Sequence, residues 1–225
     1  MHEEQRAARI FGVLFIITFV TSIVALVLYQ PVLDDPAKYI AGGGKDNEIY
    51  LGAFLELFLI ISNVGTAVVL YPIARRQNEY LAIGFVAARI VESMFIGAGI
   101  IFALGIVSLR HEASGAGDLA VSLAALKDWT FLYGPGFIVP WGNGLILGYL
   151  MYRSGLVPRR MAWFGLIGGP LLVISSTGTL FQWWDAGSAI PSILVVPEFI
   201  WEAFLGIYCA GWGFKSDSPI LSPAT

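Results

Sequence analysis

The sequence has 225 residues, 57% of them apolar and only 13% charged, with a net charge of −3. Soluble domains carry about a quarter charged residues, so the deficit points to lipid as the solvent, and an acidic chain offers no basic face for nucleic acid. Cys209 is the one cysteine, and His2 and His111 lie outside the apolar runs, so neither a disulfide, a metal set nor a haem cofactor is expected.

Arg6 and Arg9 precede a first apolar run. At about 20 residues, without a small-x-small cleavage site, it is too long for a signal-peptide core and reads as an uncleaved helix. Six runs follow one another: Ala8 to Tyr29, Ile49 to Tyr71, Tyr80 to Ser108, Asp128 to Tyr152, Met161 to Phe181 and Ile190 to Phe214. They lack the alternation of barrel strands, and only helices then satisfy their backbone in lipid. The expected fold is an all-α, polytopic membrane helix bundle: one domain, residues 1–225, of six transmembrane helices.

Arg6, Arg9, Arg75, Arg76, Arg153, Arg159, Arg160 and Lys215 fall on one side of this arrangement. Lys38, Lys45, Arg110 and Lys127 fall on the other, among many acidic residues. Basic loops stay in the cytoplasm, which puts both termini inside a bacterial cytoplasmic (inner) membrane. Trp129, Trp183 and Trp184 mark the outer boundary, and Trp163 and Trp212 the inner one. Gln30 to Glu48 and Arg110 to Lys127 read as short outer loops. Within the first, Ala41 to Asp46 is a glycine-rich turn that fails the spacing of a phosphate loop.

Glu56, Arg89, Glu92, Glu198 and Glu202 lie inside the apolar runs. At ~1.5 Å per residue, Glu56 sits roughly 10 Å below the outer boundary, Glu92 and Glu198 about 12 Å, and Arg89 and Glu202 about 16–18 Å. Arg89 and Glu92 share a helix face, as do Glu198 and Glu202, and Asn63 follows Glu56 on nearly the same face. Each charge at mid-helix costs ~2.5–3.5 kcal/mol, so these groups should face one another. Four glutamates against one arginine leave −3 if all are ionised; protonation, a shared proton or a bound cation or amine must offset it. A structural staple, with Arg89 bridging Glu92 and Glu56, is the plainer alternative. In the fourth run, Gly134-Pro135-Gly136 and Pro140-Trp141-Gly142-Asn143 break the helical pattern and point to a cavity lining, with Asn143 as a buried amide. Gly144 and Gly148 are expected to pack against Gly165 and Gly169. Trp141 and Trp201 sit at mid-depth as candidate cavity walls.

The stretches Leu55 to Glu79 and Ala87 to Glu92 carry a resemblance, as do Gly134-Pro135-Gly136, Tyr152 to Pro158, Gly165 to Pro170 and Trp201-Glu202. Together they resemble the bacterial integral membrane proteins of domain-of-unknown-function family 4386. The resemblance implies the class and transfers no activity to any residue. From the residues themselves, the leading expectation is binding or transport of a small solute or proton at Glu56, Asn63, Arg89, Glu92, Asn143, Glu198, Trp201 and Glu202. The lipid bilayer is its setting, and a homodimer is expected because six helices are few for a transporter. A partner subunit without chemistry and a carboxylate-based enzyme acting on a lipid-like substrate are the alternatives.

Overall fold

The computed structural model describes residues 2–43, 45–112 and 116–221. All regular structure among them is helical. Helix α1 covers His2–Asp34, α2 Asp46–Ala74 and α3 Glu79–Glu112. A continuous helical run then begins as α4 (Gly117–Phe131), widens into two π-helical segments, Leu132–Ile138 and Pro140–Leu147, and ends as α5 (Gly148–Ser154). Helix α6 is Arg159–Leu180, and α7 (Ala189–Leu194) and α8 (Val196–Trp212) meet at Val195.

Among the described residues, five helices are long and apolar enough to cross a membrane: α1, α2, α3, α6 and the α7–α8 pair. The bundle is inverted relative to a water-soluble one. Its exterior shows Ile10, Val13, Val20, Ile61, Met94 and Ile101, while Asn63, Thr66, Arg89, Glu92 and Glu198 are buried. Apolar surface of this extent is stable in lipid and not in water. The chain is therefore a multi-pass membrane protein.

The elements pack as a closed ring: α1 on α2, α2 on α3, α3 on the interrupted run, that run on α6, α6 on α8, and α8 back on α1. Two apolar cores close the ends. One, around Phe11, Phe15, Leu70, Phe85, Met151 and Leu205, lies beside the chain termini. The other gathers Tyr29, Val32, Tyr39, Ile49, Ile106 and Ala120 at the far end. At the terminal end Gln5 Nε2 donates to the Phe214 carbonyl (2.6 Å), the Lys215 amide to Leu156 (2.8 Å), and Arg76 pairs with Glu4 (3.2 Å). These bonds collect one group of basic segments at one end.

The interrupted run departs from a simple broken helix. Pro135 and Pro140 lack the amide that an α-helix needs, and the backbone widens instead of ending, with the Val139 amide on the Gly134 carbonyl. Glycines make the wide segment fit: a Cβ at Gly142 would lie 2.8 Å from Ala88 of α3, and one at Gly144 2.6 Å from Gly169 of α6. Ser176 of α6 donates to the Gly136 carbonyl at 2.8 Å, satisfying a group that the widening loosens. Gly144 and Gly169 thus pack as expected, and so do Gly148 and Gly165, a Cβ at Gly148 lying 3.4 Å from the Gly165 backbone; Gly165 also faces the Trp201 ring.

Both expected outer loops are largely helical. Helix α1 runs on to Asp34, followed by a three-residue helix, Pro36–Lys38, and a π turn, Tyr39–Gly43. Gly44, in the middle of the glycine-rich turn, lies outside the described residues. Helix α3 reaches Glu112, and α4 starts at Gly117, well before the expected Asp128.

Candidate functional site

The buried charges fall into two clusters on two adjoining cavities. The first is built where α1, α2 and α4 converge. Glu56 of α2, 9% exposed, accepts from the Tyr29 hydroxyl at 2.9 Å and from Lys127 Nζ at 2.8 and 3.0 Å. Lys127 Nζ also lies 4.5 Å from the centre of the Tyr29 ring, a cation–π contact. Two glycines create the room: a Cβ at Gly99 would stand 2.9 Å from Lys127 Cδ, and one at Gly52 3.2 Å from the Tyr29 ring. Both Glu56 oxygens and the ammonium are occupied, and the adjacent cavity is small, about 110 Å³.

Lys127 is the residue that the sequence reading placed outside the membrane. It is 6% exposed. The loop assignment failed because Arg110 to Lys127 is polar enough to look like a boundary. Yet Ala120, Leu123, Ala124 and Lys127 repeat at helical spacing, and the first three pack in the far-end core. That stripe was the available signal. The correction removes the Arg89 bridge to Glu56, since Glu56 belongs to Lys127, and changes the charge count from −3 to −2.

The second cluster faces a cavity of about 350 Å³ lined by Asn63, Arg89, Glu92, Glu198 and Glu202 among apolar walls. Arg89 NH1 donates to Glu92 at 2.7 Å and its Nε to Thr66 Oγ1 at 3.4 Å. The guanidinium lies against the Phe15 and Phe85 rings at 5.3 and 6.0 Å. Asn63 Nδ2 completes Glu92 at 3.0 Å. Across the cavity Asn143 Nδ2 donates to Glu202, and Trp201 Nε1, fully buried, donates to the Asn143 carbonyl at 2.9 Å. Asn143 and Trp201 therefore hold Glu202 from behind. Trp141 is no cavity wall: it is 53% exposed on the exterior, turned outward by the π-helical segment it sits on.

Glu198 differs from every other member. It is 2% exposed, and neither of its carboxylate oxygens has a hydrogen-bond partner among the described residues. Gly144 and Gly168 press on it from two sides; a Cβ at either would lie within 2.9 and 2.7 Å of Oε2, respectively. The cavities share Ser22, Leu26, Leu59, Ile96, Phe131 and Pro135, so a largely apolar partition separates Glu56 from this chamber. No three His, Cys, Asp or Glu side chains among the described residues converge as a metal site.

An inverted helical ring around a polar interior defines an integral membrane protein with an internal polar chamber. Residues 10–209 match the model of the domain of unknown function DUF4386, and the chain belongs to that family. No similar curated protein and no similar solved structure was found.

Proposed function

We propose that this protein carries a small solute or a proton through the bacterial inner membrane, using the Glu198 chamber as its binding site. In this reading the interrupted run is a sixth transmembrane helix, and both termini face the cytoplasm. The run's place in the closed ring supports the first point. The basic residues gathered near the termini support the second.

The observation that carries the reading is Glu198: a carboxylate without a partner among the described residues, buried, on the wall of a cavity large enough for a small ligand. An unsatisfied buried polar group costs about 1–3 kcal/mol and is retained where something binds it. Intramembrane carboxylates at cavity walls are also the usual carriers of transported protons. Arg89 and Asn63 fix Glu92, and Asn143 fixes Glu202, so Glu198 is the group whose partner changes during a cycle.

The test is proton flux into vesicles containing the purified protein, under a pH gradient or a potassium–valinomycin potential. Flux is read alone and with a mixture of amino acids, organic acids and amines outside. Wild type should exceed protein-free vesicles, and Glu198→Gln should reduce that excess at least fivefold. No flux in any condition would overturn the carrier reading.

A further inference from the structure

Resting on the chamber proposed above, we infer that its solute class is a monovalent organic ammonium with a small apolar body. The first ground is charge. Three carboxylates, Glu92, Glu198 and Glu202, face one guanidinium, and Arg89 is committed to Glu92 at 2.7 Å. With all three carboxyls ionised, two negative charges remain to be offset inside a low-dielectric space.

The second ground is the balance of donors and acceptors. Each polar side chain of the chamber other than Glu198 has a partner within the protein: Asn63 Nδ2 donates to Glu92, Arg89 to Glu92 and Thr66, Thr18 to the Phe15 carbonyl, Ser22 to the Phe19 carbonyl, and Asn143 to Glu202. Its unpartnered buried groups are acceptors, namely both oxygens of Glu198 and the Asn63 Oδ1. The Asn63 orientation is fixed by chemistry, because turning its oxygen toward Glu92 would oppose two acceptors. Unpartnered buried acceptors are complemented by a group that donates. An ammonium has three donors and no acceptor. A carboxylate ligand would add a third negative charge to the two in surplus, and a sugar would bring no positive charge to offset them. A bare divalent ion lacks a converging ligand set among the described residues.

The third ground is the wall. Leu59, Ile96, Val139 and Leu172 line the space beside Glu198, and Phe19 and Phe199 meet at 4.7 Å between ring centres. Such a wall accepts an alkyl or aryl body. At about 350 Å³ the chamber lies at the low end of the roughly 300–1,000 Å³ of small-molecule sites, which limits that body's size. The rim residues Ile23, Leu26, Phe131, Val195 and Phe199 are exposed on the apolar exterior. The chamber therefore opens sideways toward lipid, from which an amphiphilic amine can enter. An ammonium on Glu198 offsets one surplus charge and leaves Glu202 as the second site of compensation.

Hexylammonium is the probe, with 1-hexanol and hexanoate as neutral and anionic controls of similar size. Binding is measured by calorimetry at pH 7 on the whole chain in phosphatidylcholine nanodiscs, with protein-free discs subtracted. Hexylammonium should bind, and neither control should. Glu198→Gln, and separately Leu172→Trp, which fills the wall without touching a charge, should each weaken binding at least fivefold. Circular dichroism identifies a variant that fails to fold, and the other then decides. Equal binding of hexanol or hexanoate, or weakening below fivefold in both folded variants, overturns the ammonium site. Proton flux that persists while hexylammonium fails to bind removes the ligand class and spares the carrier reading. Hexylammonium binding without any flux does the reverse.

Discussion

The Lys127 cluster and the Glu198 cluster stand on adjoining cavities and use the same carboxylate chemistry, yet one is closed and the other open. Around Glu56 the carboxylate has its ammonium, and a tyrosine supplies a third bond. Around Glu198 the carboxylates exceed the cation, and one has no hydrogen-bond partner among the described residues. Burial alone therefore does not separate a staple from a site. Pairing does, because a paired charge has been satisfied by the fold and an unpaired one has been left for something else.

The largest effect that could break this contrast is on stability, with opposite signs in the two places. Lys127→Met leaves Glu56 buried without its cation and should lower unfolding free energy by about 3–5 kcal/mol, read by detergent-titrated unfolding in mixed micelles. Adding Glu56→Leu should recover most of that loss, since an apolar pair of similar volume replaces a buried ion pair at little net cost. If the double variant stays as unstable as the single, the pair is not what holds α2 to α4. Glu198→Met should instead raise stability by about 1–3 kcal/mol in the same assay, because it removes an unsatisfied group. A loss there would make Glu198 a structural residue and end the contrast.

Packing around the carboxylate gives the next effect. A Cβ at Gly168 would stand 2.6 Å from the Glu198 backbone nitrogen, so Gly168→Ala must push α6 from α8. A loss of about 1–3 kcal/mol is expected from overpacking. Gly211, on α8 with nothing within 4 Å of a Cβ, is the control. Gly211→Ala should be stabilising by up to about 1 kcal/mol, through helix propensity. Equal thermal shifts for the two alanines would mean that the Gly168 contact is not tight.

Helical periodicity carried the reading of the larger chamber a long way. Asn63, Arg89, Glu92, Glu198 and Glu202 do line one cavity, because polar groups in apolar helices have few places to go other than toward one another. Two features escaped for physical reasons. Lys127 lies inside a helical run that continues to Ser154, but the residues before it resemble a polar loop, so hydropathy starts the run at Asp128 and leaves a buried cation outside it. Trp141 sits where the backbone makes i→i+5 bonds, so faces counted at 3.6 residues per turn drift, and a ring expected inside points out. The prolines and glycines announced an irregularity there but not its kind.

Tyr29→Phe is the mildest change and the sharpest test of separateness. It removes the hydroxyl bond to Glu56 while Lys127 keeps its two contacts and stays above the ring. A stability loss of about 0.5–1.5 kcal/mol is expected, the worth of one hydrogen bond. Because the smaller cavity meets the Glu198 chamber only through apolar side chains and the Ser22 and Pro135 positions, flux and hexylammonium binding should not change. A fall in flux comparable to that of Glu198→Gln would mean that the partition opens during the cycle. The Glu56–Lys127 pair would then be a second station on one path, and its complete pairing a resting state of the site.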